Sequence, residues 1–137
     1  MIIKQISIFV ENKPGRLAEI TEIIAKNDIN IRALSVADTT HFGILRIIVD
    51  YPEMVQRVLK EAGLTVSITS VITAAINDRP GGLAEVLKLF AAHDIQIEYM
   101  YAFIAKSENE AYVVMRIENE DVAVKLLKEN GFTGMND

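Results

Sequence analysis

Apolar and polar residues alternate in some stretches of this chain and recur every three to four positions in others. Residues 5–11 alternate, with Ile6, Ile8 and Val10 pointing one way and Ser7, Phe9 and Glu11 the other, which predicts a strand. Leu17, Ile20, Ile23 and Ile24 then fall on one helical face, and Asn27-Asp28 ends that helix. Residues 29–37 read as a second strand and Asp38-Thr39-Thr40 as a turn. Residues 43–50 form a third strand, with Leu45, Ile47 and Val49 on one face and Ile44, Arg46 and Ile48 on the other. Pro52 opens a second helix that carries Val55, Val58, Leu59 and Ala62 inward, and Gly63 stops it as a left-handed cap residue does. Residues 64–69 supply a fourth strand.

The order strand, helix, strand, strand, helix, strand then restarts. Residues 71–77 match 5–11, and Leu83, Val86, Leu87 and Phe90 repeat the first helix face. Asp94-Ile95-Gln96-Ile97 matches Asp28-Ile29-Asn30-Ile31, and Leu127 to Phe132 matches Leu59 to Leu64. Met115-Arg116-Ile117 matches Leu45-Arg46-Ile47 at an offset of 116 − 46 = 70, so the second copy carries about four extra residues in its polar loop around 106–110. This predicts two domains, 1–68 and 69–137. No Gly-, Pro- or Ser-rich linker separates them, so they should be rigidly coupled. Each copy reads as a ferredoxin-like βαββαβ unit of the α+β class, an antiparallel sheet with two helices on one face. After Gly131 only Phe132-Thr133-Gly134-Met135-Asn136-Asp137 stands where the first copy has a full apolar strand. The last strand is expected to be short or missing, its neighbour's edge to be covered by another segment or subunit, and a single occupied site becomes plausible.

Two corners stand out. Asn12-Lys13-Pro14-Gly15-Arg16-Leu17-Ala18-Glu19 recurs as Asp78-Arg79-Pro80-Gly81-Gly82-Leu83-Ala84-Glu85, an offset of 81 − 15 = 66 residues. Each follows a strand pattern and opens a helix. A helix start presents unpaired backbone N–H groups and the positive end of its dipole, which is a place to hold a carboxylate. The glycines let a ligand approach the backbone around Gly15-Arg16 and Gly81-Gly82. Taken singly, each corner is accounted for by ordinary turn and cap preferences; the duplication at matched spacing favours a binding device.

The duplicated pattern Asn/Asp-x-Pro-Gly-x-Leu-Ala-Glu, followed by an apolar helix and Asp-Ile-Asn/Gln-Ile, resembles the ACT domain, a small regulatory module that binds amino acids. The resemblance covers nearly the whole chain, twice. It implies that Pro14, Gly15, Arg16 and Leu17, with Pro80, Gly81, Gly82 and Leu83, cradle a free amino acid. Asn12, Asp78, Asn30 and Gln96 are implied as polar contacts to its amino and carboxyl groups, Asp78 being the charged acceptor for an ammonium. ACT modules usually pair side by side through their second strands, with ligands at the seam. Arg32, Ala33, Leu34 and Ser35 align there with Glu98, Tyr99, Met100 and Tyr101. One roomy site walled by Tyr99, Met100 or Tyr101, suited to an aromatic, branched or imidazole side chain, is one reading; the other is that these aromatics fill the interface between the copies. With no catalytic domain attached, the resemblance implies an amino-acid sensor that binds between its two ACT domains and signals to a partner. The alternative is a regulatory subunit of an amino-acid biosynthetic enzyme, similar to the small subunit of acetolactate synthase. That subunit normally adds a C-terminal domain where this chain has a second ACT copy.

Composition narrows the rest. Of 137 residues 50% are hydrophobic and 24% charged, an apolar surplus that goes into an interface between domains or subunits. Arg46 and Arg116, mid-strand on the face away from the aligned apolar sets, point to a partner on that face, most simply a second copy of the chain, hence a homodimer. The net charge of −5 argues against nucleic acid as a partner. There are no cysteines, which excludes disulfides and thiolate zinc sites. His41, beside a turn, and His93, at a helix end where a cation suits the dipole, occupy non-equivalent places, so no metal is expected. No phosphate loop or nucleophile elbow is present; neither a cofactor nor enzymatic activity is expected. No apolar run spans a bilayer and no secretory signal is visible, so no membrane association and a cytoplasmic location are expected.

Overall fold

Helix-period and strand-period segments become the elements β1 (Ile2–Glu11), α1 (Arg16–Lys26), β2 (Ile31–Asp38), β3 (Phe42–Val49), α2 (Pro52–Glu61), β4 (Thr65–Asn77), α3 (Gly82–Ala92), β5 (Tyr99–Ala102), β6 (Glu110–Arg116) and α4 (Glu120–Glu129). The computed structural model describes residues 1–38, 41–104 and 109–137. Thr39 and Thr40 of the expected turn, and positions 106–108 of the expected polar loop, lie outside the described residues. The chain divides into two compact units, Lys4–Thr69 and a second made of Met1–Ile3 with Ser70–Asp137. Both are ferredoxin-like, and the class is α+β, as the patterning predicts.

In the first unit the strand order is β2-β3-β1-β4, with β3 antiparallel to both β1 and β2. The register places Ile8 opposite Leu45 and Ile6 opposite Ile47. Pleating sends these residues to one face. There Ile6, Ile8, Val10, Leu45, Ile47 and Val49 are buried with Ile20 and Ile24 of α1, Val55 and Leu59 of α2, and Val66. Each such aliphatic side chain contributes about 1.5–3 kcal/mol on burial. Two residues assigned inward by periodicity are not inside: Leu17 is 43% exposed, and Ala62 is the exposed C-cap of α2.

The second unit repeats this with β6 antiparallel to β4 and β5. Ile72, Ala74, Ile76, Val113, Met115 and Ile117 cover its sheet face, against Val86 and Phe90 of α3 and Ala123 and Leu127 of α4. No strand follows α4 among the described residues. The edge of β4 that does not pair with β6 is met by two other segments. Thr73 donates its N–H to the Met1 carbonyl at 2.9 Å, and Ala75 donates to the Thr133 carbonyl at 2.8 Å. The Met1 ammonium lies 2.8 Å from an Asp137 carboxylate oxygen, and Met135 donates its N–H to the buried Thr73 Oγ1 at 2.8 Å. The approach is so close that a Cβ on Gly134 would lie 2.5 Å from both Met1 Cγ and the Thr73 carbonyl oxygen.

The patterning predicts two strands at 64–69 and 71–77, but the structure joins them as the 13-residue β4. Nothing between them breaks pairing: Ser70 sits in extended backbone without Gly or Pro. Its residues up to Thr69 belong to the first unit and those from Ser70 to the second.

Candidate functional site

Both corners close in the same way. Gly15 and Gly81 are the N-cap residues of α1 and α3, with φ of 87° and 88° and no side-chain cap. A left-handed backbone there requires glycine. Arg16 N–H bonds the Lys13 carbonyl at 3.3 Å and Gly82 N–H bonds the Arg79 carbonyl at 3.0 Å. The first helical bonds run from Glu19 to Gly15 and from Glu85 to Gly81. The open donors therefore lie one step beyond Gly15-Arg16 and Gly81-Gly82, at Leu17 and Ala18 in one unit and Leu83 and Ala84 in the other. Leu17 and Leu83 are 43% and 40% exposed, so the same apolar residue stands open at the same place twice.

A cavity of about 120 Å³ sits at the first corner, lined by Val10, Glu11, Asn12, Leu17, Val36, Asp38, Gly43 and Leu45. The topology assembles it. β1 and β2 both run antiparallel to β3, so their C-terminal ends lie together, with Val10 and Asp38 both paired to Gly43. Asn12 Nδ2 donates to Asp38 Oδ1 at 3.0 Å, and Asn12 N–H bonds the His41 carbonyl at 3.0 Å. Glu11 pairs with Lys13 at 2.8 Å; the hydrogen bond from that ammonium holds its carboxyl below the usual glutamate value. Asp38 has only the neutral Asn12 amide as a side-chain partner among the described residues. The corner thus sets amide donors and the positive end of α1 against a carboxylate.

Of the residues expected at a ligand site, Asn12, Pro14, Gly15, Arg16 and Leu17 come together here. Arg16 is turned to Glu19, 3.2 Å away. Asp78, Pro80, Gly81, Gly82 and Leu83 form the second corner, where Asp78 N–H bonds the Asn109 carbonyl. Asn30 does not reach the corner of its own unit: it precedes Ile31, which pairs with Val49, six residues along β3 from Gly43, or about 20 Å. Gln96 stands likewise at the far end of the second unit, lining a separate cavity of about 400 Å³ where α3 ends and α4 begins. Tyr99, Met100 and Tyr101 do not share a wall. Met100 pairs with Met115 and packs on the helix-side core, while Tyr99 and Tyr101, paired with Arg116 and Val114, take the opposite face. Arg116 finds carboxylates within its unit, Glu120 at 3.3 Å and Glu98 at 3.7 Å. Asp38, Val36 and Gly43 also line the corner cavity, and the sequence pattern does not point to them. The one available signal was that Asp38 ends a strand parallel to β1 and so falls beside the corner.

The profile of the ACT domain pair matches residues 1–137. The chain belongs to the ACT domain pair family. Its ACT fold is also that of several solved structures. Protein BT0572 from Bacteroides thetaiotaomicron is 42% identical, with 100% of this chain and 95% of that one covered and a TM-score of 0.91. The ligand-free regulatory subunit of aspartate kinase from Thermus thermophilus is 16% identical over 94% of each chain, TM-score 0.66. Aspartate kinase from Synechocystis is 20% identical over 93% of this chain and 24% of its own, TM-score 0.59. No curated protein matches the chain. Among the described residues no helix is long and apolar enough to cross a membrane, and no group of three or more His, Cys, Asp or Glu is placed to hold a metal ion.

Proposed function

We propose that this ACT pair is a regulatory sensor that binds a free amino acid at its strand-to-helix corners and passes the occupied state to a partner. One observation carries the reading: at the first corner, Asp38 and Leu17 line a single cavity beside open helix-start amides. The Leu17 and Ala18 N–H groups take the ligand carboxylate, and Asp38 takes its ammonium. A hydrogen bond to a charged group contributes about 1.5–3 kcal/mol, so three of them with some apolar burial support affinity near micromolar, about −8 kcal/mol. Asn12 holds Asp38 in place, and Leu17 and Val36 face the ligand side chain. The second corner supplies the same amides at Leu83 and Ala84.

A regulatory subunit acting on an amino-acid biosynthetic enzyme is the second reading. The end-to-end overlap with an aspartate kinase regulatory subunit favours it; copurification with a catalytic subunit separates it from a free-standing sensor. The sensor reading is tested by thermal shift against the twenty amino acids. A ligand at a hundred times its Kd stabilises the fold by about 2.7 kcal/mol, and Asp38→Asn weakens that ligand about tenfold. No shift with any amino acid, or a shift that Asp38→Asn leaves intact, removes the proposal.

A further inference from the structure

The larger cavity, about 400 Å³ in the second unit, lies at the opposite end of its sheet from the corner. Asp94, Glu98 and Glu118 line it with His93, Gln96, Asn119 and the apolar Ile95, Ile117 and Val122. Its volume falls in the range of small-molecule sites, roughly 300–1,000 Å³.

The repeat supplies an internal comparison. Position 98 is equivalent to 98 − 66 = 32, which is Arg32 in the first unit. The strand register sets Met115 opposite Ile72 and Met100 as Ile47 stands opposite Ile6 and Leu34, so the units align here at 115 − 47 = 68 and not at the 70 expected from the residues; Glu118 is then the counterpart of Asp50. In the first unit these positions form an ion pair, Arg32 Nη1 donating to Asp50 Oδ1 at 3.0 Å. The second unit keeps the acceptor as Glu118 but replaces the guanidinium by another carboxylate. Glu98 meets Arg116 only at 3.7 Å, and that same guanidinium also pairs with Glu120 at 3.3 Å. Among the described residues no cation stands within ion-pair distance of Asp94 or Glu118. His93 turns Nδ1 to the Leu89 carbonyl at 3.0 Å. The cavity therefore keeps a guanidinium acceptor, adds negative charge and lacks the guanidinium.

We propose that this cavity takes a small molecule bearing a guanidinium or alkylammonium group. The cation occupies the place that Arg32 fills in the first unit, paired with Glu118 and flanked by Glu98 and Asp94. The methylene stem lies on Ile95 and Val122. The start of α4, where Asn119 makes no side-chain cap and Glu120 and Asp121 stand in the first turn, adds to the negative field over the site. The site is independent of the corner and of the amino acid held there.

Isothermal titration of the full chain with L-arginine, and with citrulline, which has the same length and a neutral ureido group, tests the assignment. Arginine is expected to bind with citrulline at least about tenfold weaker, the worth of a charge-assisted hydrogen bond. Glu118→Gln weakens arginine by about the same factor. Glu98→Arg, which restores the sister unit's ion pair inside the cavity, abolishes binding while the fold is retained. Asp38→Asn at the corner leaves arginine binding unchanged. Absence of arginine binding up to about 10 mM, equal binding of citrulline, or arginine binding that survives both Glu118→Gln and Glu98→Arg overturns the proposal. Loss on Asp38→Asn with Glu118→Gln silent assigns arginine to the corner instead and also overturns it.

Discussion

The two corners have the same sequence frame but different tolerances. After the left-handed glycine the first has Arg16 and the second has Gly82. A Cβ built on Gly82 would sit 1.9 Å from the Asn77 carbonyl oxygen, so α3 lies hard against the end of β4. Arg16, in the same place, has a side chain free to pair with Glu19. Duplication has preserved the open amides while allowing one helix start to close onto its strand and the other to stand off beside a cavity. A repeated motif is thus no guarantee of a repeated pocket.

That contrast can be broken outright. Gly82→Ala is expected to cost about 3 kcal/mol or more, because backbone rather than a flexible side chain must give way. At about 3 °C per kcal/mol the melting point falls by roughly 10 °C. Arg16→Ala at the equivalent position stays within about 0.5 kcal/mol. Equal losses from the two substitutions would mean that the corners are packed alike.

The cores, by contrast, should behave as a matched pair. Leu59 and Leu127 are both fully buried at aligned positions, so Leu59→Ala and Leu127→Ala should each lose about 2–5 kcal/mol. Chemical denaturation of the two variants giving losses that differ by more than a factor of two would show that one core relaxes around its cavity and the other does not.

A smaller difference lies at the sheet edges. Thr73→Val removes the acceptor for Met135 N–H and a donor to the Met1 carbonyl, for an expected loss of about 1–3 kcal/mol. Among the described residues its counterpart Ser7 receives a hydrogen bond from the Gln5 amide at 3.1 Å, and Ser7→Ala should cost less. Native-state hydrogen exchange at Thr73 and Ala75 reads the edge directly.

The smallest effect is that of pH. The Met1 ammonium, by hydrogen bonding, and then the Gly134 N–H hold the Asp137 carboxyl below the ordinary aspartate value. A depressed folded-state value means that the contact stabilises above the unfolded aspartate pKa, near 3.9, and that this is lost as pH falls through the lower folded value. For a partly exposed pair it amounts to less than about 1 kcal/mol. Asp137→Asn should flatten the acid limb of stability against pH; an unchanged limb would show that the pair contributes nothing.

Much of this architecture was legible in the residues because local signals agreed with the tertiary structure. Ile6, Ile8 and Val10 alternate inward, Gly63 does end α2, one residue past the Ala62 C-cap, with φ of 89°, and the repeat announced the order of elements. Other features depend on contacts far apart in sequence. Leu17 and Leu83 fit the helical period but lie on the first turn, beyond the cover of the sheet, so periodicity assigns them inward while geometry leaves them open. Asp38 acquires meaning only when β3 brings the ends of β1 and β2 together. Tyr99, Met100 and Tyr101 are contiguous in sequence, but pleating divides them between two faces. The assignment of Met1–Ile3 to the second unit had no local signal at all, since their partners are some seventy residues away.

The edge of β4 carries one more consequence. Thr73 and Ala75 offer their N–H groups to Met1 and Thr133 in place of a regular fourth strand, and a strand edge left bare is a template for another chain's backbone. Peeling of the 132–137 tail, favoured in acid as the Asp137 contact fails, would uncover the backbone edge of β4 around Ala75. The tail's last turn is then a guard against self-association, and light scattering on a chain truncated before Thr133 should register clumping well before helicity is lost.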